Sequence, residues 1–192
     1  MEIVRITTTD ALLYKAFREI YDVSFPVFEQ RTEVQQKDAF ADSRFYLDCY
    51  VGKNTGFLQG FIAYWRFDGY IYVEHFAIHP NERGKGLGGL ILKNLIEQEG
   101  GRVLLEIDPV VDSISAARLR FYQSYGFVEN PFPHIHPAYR SEYPDHSLVV
   151  LSTEGEMTAS EYKKFASDLN VIVMKKGLSK KSDSPFCYCL FR

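Results

Sequence analysis

The sequence predicts a single α/β domain: a mixed, twisted sheet flanked by helices, in the order β-α-α-β-β-β-α-β-α-β-β, with a helical extension behind it. Three observations carry this. Residues 45–78 hold three strand-like runs separated by turn signals. A glycine-rich loop at 83–89 then opens a helical pattern. From there strand and helix alternate, which implies parallel pairing in the middle of the sheet.

Residues 2–8 (EIVRITT) read as a first strand. A helix follows, with Asp10 as its expected N-cap and Leu13, Phe17, Ile20 and Tyr21 on one face. Phe25-Pro26 ends it, because proline restricts the residue before it to extended conformations. Residues 33–41 suit a short second helix. Phe45 to Val51 and Phe57 to Phe67 read as strands around a Gly52–Gly56 turn, with Gly60 a candidate bulge. Asp68-Gly69 is a hairpin signal, and Tyr70 to Ile78 is its partner strand. This half is an antiparallel meander.

After His79-Pro80 comes the loop Arg83-Gly84-Lys85-Gly86-Leu87-Gly88-Gly89, then a helix to Glu99 with Leu87, Ile91 and Leu95 stacked. Gly100-Gly101 stops it. Val103 to Ile107 is almost all apolar and reads as a buried strand. A second helix spans about Ser113 to Tyr125, with an expected apolar stripe of Ile114, Ala117, Phe121 and Tyr125 and a C′ glycine at Gly126. Phe127-Val128 opens another strand, and Ser147 to Ser152 is the last. The domain is drawn at 1–155. An extension at 156–192 begins with the capping box Thr158-x-x-Glu161 ahead of Tyr162, Phe165, Ala166 and Leu169.

Composition excludes several classes. With 192 residues the chain is long enough to bury a sizeable core. Apolar residues make up 46% and charged residues 24%, so disorder is not the default. A net charge of −3 gives no basic excess for nucleic acid. The three cysteines, Cys49, Cys187 and Cys189, are too few and odd in number for a disulfide framework, and they fit a reducing compartment. No secretory signal or membrane-spanning run is visible, so a cytoplasmic protein without membrane or nucleic-acid partners is expected.

The chemistry concentrates in the glycine loop. A strand-to-helix junction presents unpaired backbone N–H groups and the positive end of a helix dipole, and glycines let the backbone come close to a ligand. Such a junction suits phosphate or pyrophosphate. Arg83 and Lys85 add positive charge at its rim. Gly84-x-Gly86-x-x-Gly89 also fits the dinucleotide fingerprint, with Glu106 and Asp108 about twenty positions on. Against that reading, His79 to Arg83 separate the strand from the first glycine, and the loop follows a meander instead of opening a βαβ unit.

Arg83-x-x-Gly86-x-Gly88 resembles the Q/R-x-x-G-x-G/A signature of GNAT acetyltransferases, and it falls after the fourth strand, as theirs does. Tyr122-Gln123-Ser124-Tyr125-Gly126-Phe127 resembles their Y-x-x-x-G-F segment. The resemblance covers about residues 2–152 and is most specific over 70–127. It implies acetyl-CoA as cosubstrate and no metal. Backbone groups of Phe76, Ala77 and Ile78 would pair with the pantetheine arm. Amides across Arg83, Gly84, Lys85, Gly86, Leu87, Gly88 and Gly89 would hold the pyrophosphate. Tyr122 would protonate the departing thiolate, and Glu74 would accept the proton of an acceptor amine. Ser115 stands where many members carry a cofactor-binding asparagine, which puts that contact in doubt.

These residue types suit the reaction. Only a neutral amine attacks a thioester, so a carboxylate must take its proton directly or through water. The oxyanion needs a donor, such as a backbone N–H near Ile78. The plainer readings are that Glu74 faces solvent and that Tyr122 packs. His75 should point to the sheet face opposite Glu74. His134, His136 and His146 lie in or near a Pro-rich loop expected to flank the acceptor site, not to hold a metal. The expected function is acetyl transfer to a primary amine on a small molecule or peptide, with a homodimer possible from the resemblance alone. An NAD(P)-dependent oxidoreductase and a non-catalytic CoA-binding module are the alternatives.

Overall fold

A computed structural model of the chain describes residues 1–175. The predicted Cys187-x-Cys189 thiols and the tail around them lie outside these residues. The elements are β1 (Glu2–Ile6), α1 (Tyr14–Ser24), α2 (Glu33–Phe40), β2 (Phe45–Val51), β3 (Leu58–Phe67), β4 (Tyr70–Ile78), α3 (Leu87–Glu99), β5 (Arg102–Ile107), α4 (Ser113–Gln123), β6 (Val128–Glu129), β7 (His134–His136), β8 (His146–Ser152) and α5 (Ala159–Asp168). Short 3-10 turns at Val27–Glu29 and Pro80–Glu82 join them, and a π-helical turn at Leu169–Val173 follows α5. Among the described residues no helix is long and apolar enough to cross a membrane.

The strands run in the order β1-β2-β3-β4-β5-β8-β6, with β7 paired to β8. All pairs are antiparallel except β4 with β5. This is the mixed sheet the sequence predicts, with its one parallel contact in the middle. Val103, Leu104 and Leu105 of β5 are 0–2% exposed, as an apolar run buried on both faces requires.

Two bulges shape the sheet. Tyr50 pairs with Gly60 and Val51 with Leu58, so Gln59 beside Gly60 is the extra residue of β3. On β4 the register with β3 passes from Ala63–His75 to Tyr64–Val73, which leaves Glu74 as the extra residue. A bulge bends its strand and breaks the alternation of side chains. The parallel pairing of β4 with β5 runs from Tyr70–Arg102 to Val73–Leu105 and ends there. Beyond Glu74 the two strands diverge, and β5 continues against β8 alone.

Helices cover both faces. On one, Phe17, Ile20 and Tyr21 of α1, Ala39 of α2 and Phe165 of α5 pack with Leu47, Cys49, Phe61, Trp65 and Tyr72. On the other, Ile91, Leu92 and Leu95 of α3 pack with Ile62, Tyr64, Val73, Val103 and Leu105, joined by Leu119 and Tyr122 of α4. Met157, Leu169 and Val173 belong to the first core. The extension therefore packs into the same hydrophobic cluster as α1 and the sheet.

Several expectations change. Asp10 does not cap α1: the helix starts at Tyr14 without a side-chain cap, and the Asp10 N–H bonds Thr8 Oγ1 in a preceding turn. In α4 the expected stripe holds only at its C-terminal end, where Phe121 and Tyr125 pack on the core, since Ile114 is 70% exposed and Ala117 is exposed too. The Asp112–Ser115 capping box turns Ser115 inward, and the face carrying Leu119 and Tyr122 follows it, while Ile114, one residue away, points out. His134–His136 forms a short strand that its flanking prolines conceal. The bulge also overturns the expected placement of His75. Its ring lies beside Tyr21 and 3.7 Å from Glu74 Oε1, on the same face as Glu74.

Candidate active site

Where β4 and β5 part, a cavity of about 920 Å³ opens between the sheet, the first turn of α3, α4 and the 24–29 segment. Phe76, Ala77 and Ile78 line its β4 side, and Glu106, Ile107 and Asp108 its β5 side. Its mouth is the glycine loop.

That loop is built to present amides. Gly86 N-caps α3 with φ +78°, and Gly84 has φ +76°, both in the left-handed region open to glycine. The first hydrogen bond of the helix runs from the Leu90 N–H to the Gly86 carbonyl. Among the described residues the N–H groups of Gly84 to Gly89 make no backbone hydrogen bond. Unpaired amides at the positive end of a 13-residue helix suit an anionic diphosphate. A Cβ at Gly88 would lie 3.6–3.7 Å from Ile78, Phe121 and Phe76, so the glycine leaves a methyl-sized space between this turn and those side chains.

Charged side chains around the loop are partly committed. Arg83 Nε donates to the Ile78 carbonyl at 3.0 Å and Nη2 to Ser24 Oγ at 3.3 Å. Lys85 pairs with Glu82 at 3.0 Å and does not line the cavity. Ser115 does not line it either. Its hydroxyl accepts from the Val111 and Asp112 amides inside the α4 capping box. The asparagine position is thus filled by a residue that serves its own helix. The other expected cosubstrate residues, from Phe76 to Ile78 and from Arg83 to Gly89 without Lys85, all border the cavity.

Tyr122 lines the cavity from α4, with its ring against Phe121 and Phe127. Among the described residues its hydroxyl makes no hydrogen bond. Burial pushes its pKa up to about 12, against a small opposing effect of Arg118. The phenol therefore holds its proton at neutral pH.

Glu74 is placed quite differently from a free carboxylate. Its side chain is 0% exposed, so it borders the cavity through its backbone. Oε1 accepts from Arg31 Nε at 2.7 Å and from Tyr139 Oη at 2.9 Å, and Oε2 accepts from Trp65 Nε1 at 2.6 Å. Burial alone would raise its pKa. The charges of Arg31 and His75 and the Arg31 and Trp65 donors outweigh that and hold it at about 2. His75, also buried, is held down at about 4. Arg31, Trp65 and Tyr139 were not legible as Glu74's partners, since they come from three distant segments and only the bulge turns the carboxylate toward them.

A second buried carboxylate lies across the cavity. Glu106 Oε2 accepts from Tyr72 Oη at 2.5 Å, His134 Nε2 bonds Oε1, and His136 Nε2 lies 3.7 Å from Oε2. His134 is also tied to Tyr162 Oη at 3.0 Å. His136 and His146 line the cavity, and each has a buried Nδ1 without a hydrogen-bond partner among the described residues. The Pro-rich segment thus flanks the cavity. Among the described residues no group of three or more His, Cys, Asp or Glu side chains is arranged to hold a metal.

A half-open mixed sheet with an amide-lined loop at the mouth of its splay is the architecture of the acyl-CoA N-acyltransferase fold. The sequence profile of the acetyltransferase (GNAT) family matches residues 14–127, and the chain belongs to that family. In structure it is similar to a protein of Bacteroides thetaiotaomicron assigned to the GNAT family, with TM-score 0.80 and 28% identity, covering 91% of this chain and 98% of that one. In sequence it is 36% identical over 85 residues to the L-methionine sulfoximine/L-methionine sulfone acetyltransferase of Salmonella typhimurium, covering 40% of this chain and 48% of the relative. It is also 36% identical over 86 residues to an L-amino acid N-acyltransferase of Escherichia coli, covering 41% and 48%. The match thus spans about half the length of these curated relatives.

Proposed function

We propose that the protein transfers the acetyl group of acetyl-CoA to a primary amine by direct attack, with no covalent enzyme intermediate. The observation that carries this is the row of unpaired amides from Gly84 to Gly89 at the mouth of the β4–β5 splay. Those amides bind the diphosphate. The β4 edge beyond the bulge, freed from β5 at Phe76 to Ile78, receives the pantetheine amides as another strand would. The cosubstrate supplies an acetyl group activated as a thioester.

Tyr122 is the general acid. Its phenol, protonated at neutral pH, gives its proton to the thiolate as the C–S bond breaks. Backbone N–H groups at the end of β4 stabilise the oxyanion. Glu74 positions the strand instead of taking the amine's proton: its enclosed carboxylate fixes the bulge that opens the splay. The acceptor is an amine small enough for the cavity between the 24–29 segment and His136. The two sequence relatives named for amino-acid substrates make L-amino acids and their derivatives the first acceptors to try.

Two measurements test the assignment. CoA should raise the melting temperature by linkage, while NAD(P) should not. A panel of amines scored for CoA release should then yield at least one substrate. With that substrate Tyr122→Phe should lower kcat by about 10²-fold or more while keeping the CoA-induced shift. A shift with NAD(P) alone, or CoA binding without thiol release from any amine, would reverse the reading.

A further inference from the structure

Five carboxylates border the cavity, and four are already engaged. Glu74 holds Arg31, Trp65 and Tyr139. Glu82 holds Lys85 and Gln59. Glu106 holds Tyr72 and His134. Asp108 holds Arg118 at 2.5 Å. The fifth, Glu29, has no hydrogen bond or ion pair to its carboxylate among the described residues, although it is half-buried and lines the same cavity.

Glu29 is nevertheless held in place. It closes the 3-10 turn Val27–Glu29, and its carbonyl accepts from His75 Nε2 at 2.9 Å, which ties it to the β4 bulge. Directly after it, Gln30 Nε2 donates to the Phe25 carbonyl at 2.7 Å, and the Arg31 N–H donates to Tyr21 Oη at 2.9 Å. A rigid backbone thus carries an unpaired carboxylate at the wall of a reaction cleft.

We propose that Glu29 is the general base of this protein, accepting the proton of the acceptor ammonium in the role that the family resemblance gives to Glu74. This rests on the acetyltransferase reading. The ammonium proton passes to a Glu29 carboxylate oxygen and from there to solvent. The neutral nitrogen forms the C–N bond at the thioester carbonyl, and the C–S bond breaks with its electron pair on sulfur. The thiolate takes a proton from Tyr122, and the phenol is restored by the second proton lost from nitrogen.

The electrostatics agree with the geometry. Burial, and then the negative charge of Asp108 at the end of β5, raise the Glu29 pKa to about 7, while Arg118 of α4 pulls it down. The remaining titratable neighbour, His75 of β4, engages its carbonyl. A base of that pKa is half ionised near neutrality, where proton transfer is most effective. Glu74, held at about 2, is a far weaker base.

The test is Glu29→Gln on the full chain, with two acceptors identified in the amine panel: one protonated at pH 7, and one, such as an arylamine or hydrazide, already neutral there. With the protonated amine kcat/KM should fall about 10²-fold or more at pH 7. With the neutral amine the loss should be at least tenfold smaller. In the wild type, kcat with the neutral amine should show no ionisation near 7, whereas kcat with the protonated amine should rise through it. A retained CoA-induced melting shift shows that the variant folds. Equal losses with both amines, or activity within threefold of wild type with the protonated one, would overturn the proposal. So would a loss confined to His136→Gln. A wild type that releases CoA with no amine sinks the transferase reading itself, a result separate from any of these.

Discussion

Glu74 and Arg31 form an ion pair whose side chains are 0% and 5% exposed, and their energetic weight follows from that enclosure. Removing one partner strands the other charge in a low-dielectric interior, a far larger effect than the net worth of the pair. Glu74→Gln should therefore cost about 3–5 kcal/mol of stability in urea unfolding. A loss under about 1 kcal/mol would mean that Arg31, whose Nη2 already donates to the Val173 carbonyl, finds full compensation there. The same residues set the acid response. The Glu74 pKa is depressed from 4.5 to about 2 in the folded state. Its stabilisation is thus complete above 4.5 and is lost as pH falls from there toward 2. His75, depressed from 6.5 to about 4, works in a higher window. Between those values the unfolded chain binds the proton that the native ring refuses, so stability falls as pH drops from 6.5 toward 4. Melting temperature against pH should decline in both windows, and Glu74→Gln should flatten the lower one.

At the scale of elements, the close approach of α3 to α4 depends on Gly89. A Cβ there would lie 1.7 Å from Tyr125 Oη and 2.6 Å from its Cζ, which no real contact permits. Gly89→Ala should destabilise by about 1–3 kcal/mol through overpacking. Most of that should disappear in a Tyr125→Ala background, and a double-mutant cycle showing simple additivity would contradict the proposed clash. Such contacts mark the limit of what was legible. The strands from Phe45 to Ile78, the glycine loop and the Thr158–Glu161 capping box announce themselves through alternation, turn residues and local side-chain-to-backbone bonds. So do the two glycines at positive φ in the loop. The first turns of α4 and the start of α1 were misread because a cap or turn, not the apolar spacing, sets their phase. The bulge at Glu74 has no local signature at all. It exists because a carboxylate on β4 meets Arg31, Trp65 and Tyr139, and that meeting is tertiary. The base role proposed for Glu29 has no local signature for the same reason. Among several acids near the cleft this residue is distinguished only by what fails to touch it.

At the scale of the whole molecule, the segment that follows residue 155 shares one hydrophobic core with α1 and the sheet. Phe165 and Val173 are 0% and 1% exposed, and Phe165 packs against Tyr70 and Tyr72 of β4. Leu169 is 1% exposed in the same cluster. Each such side chain contributes roughly 1.5–3 kcal/mol by burial. Their sum is comparable to the entire stability of an ordinary domain, about 5–15 kcal/mol. Polar ties add to it. Tyr70 Oη donates to Asp168 at 2.7 Å, His134 is bonded to Tyr162, and Arg31 to the Val173 carbonyl. A chain ending at residue 155 should therefore lose cooperative folding: it should show no sharp thermal transition by circular dichroism and should bind a dye specific for exposed apolar surface. The effect reaches the cleft, because without Val173 and Tyr162 both buried carboxylate networks, at Glu74 and at Glu106, lose a supporting partner. A truncated chain that melts cooperatively within about 2 °C of the full one would be equivalent to a cost near 1 kcal/mol or less. It would make α5 an appendage, and the Glu74 and Glu106 networks would then be held by the sheet and α1 alone.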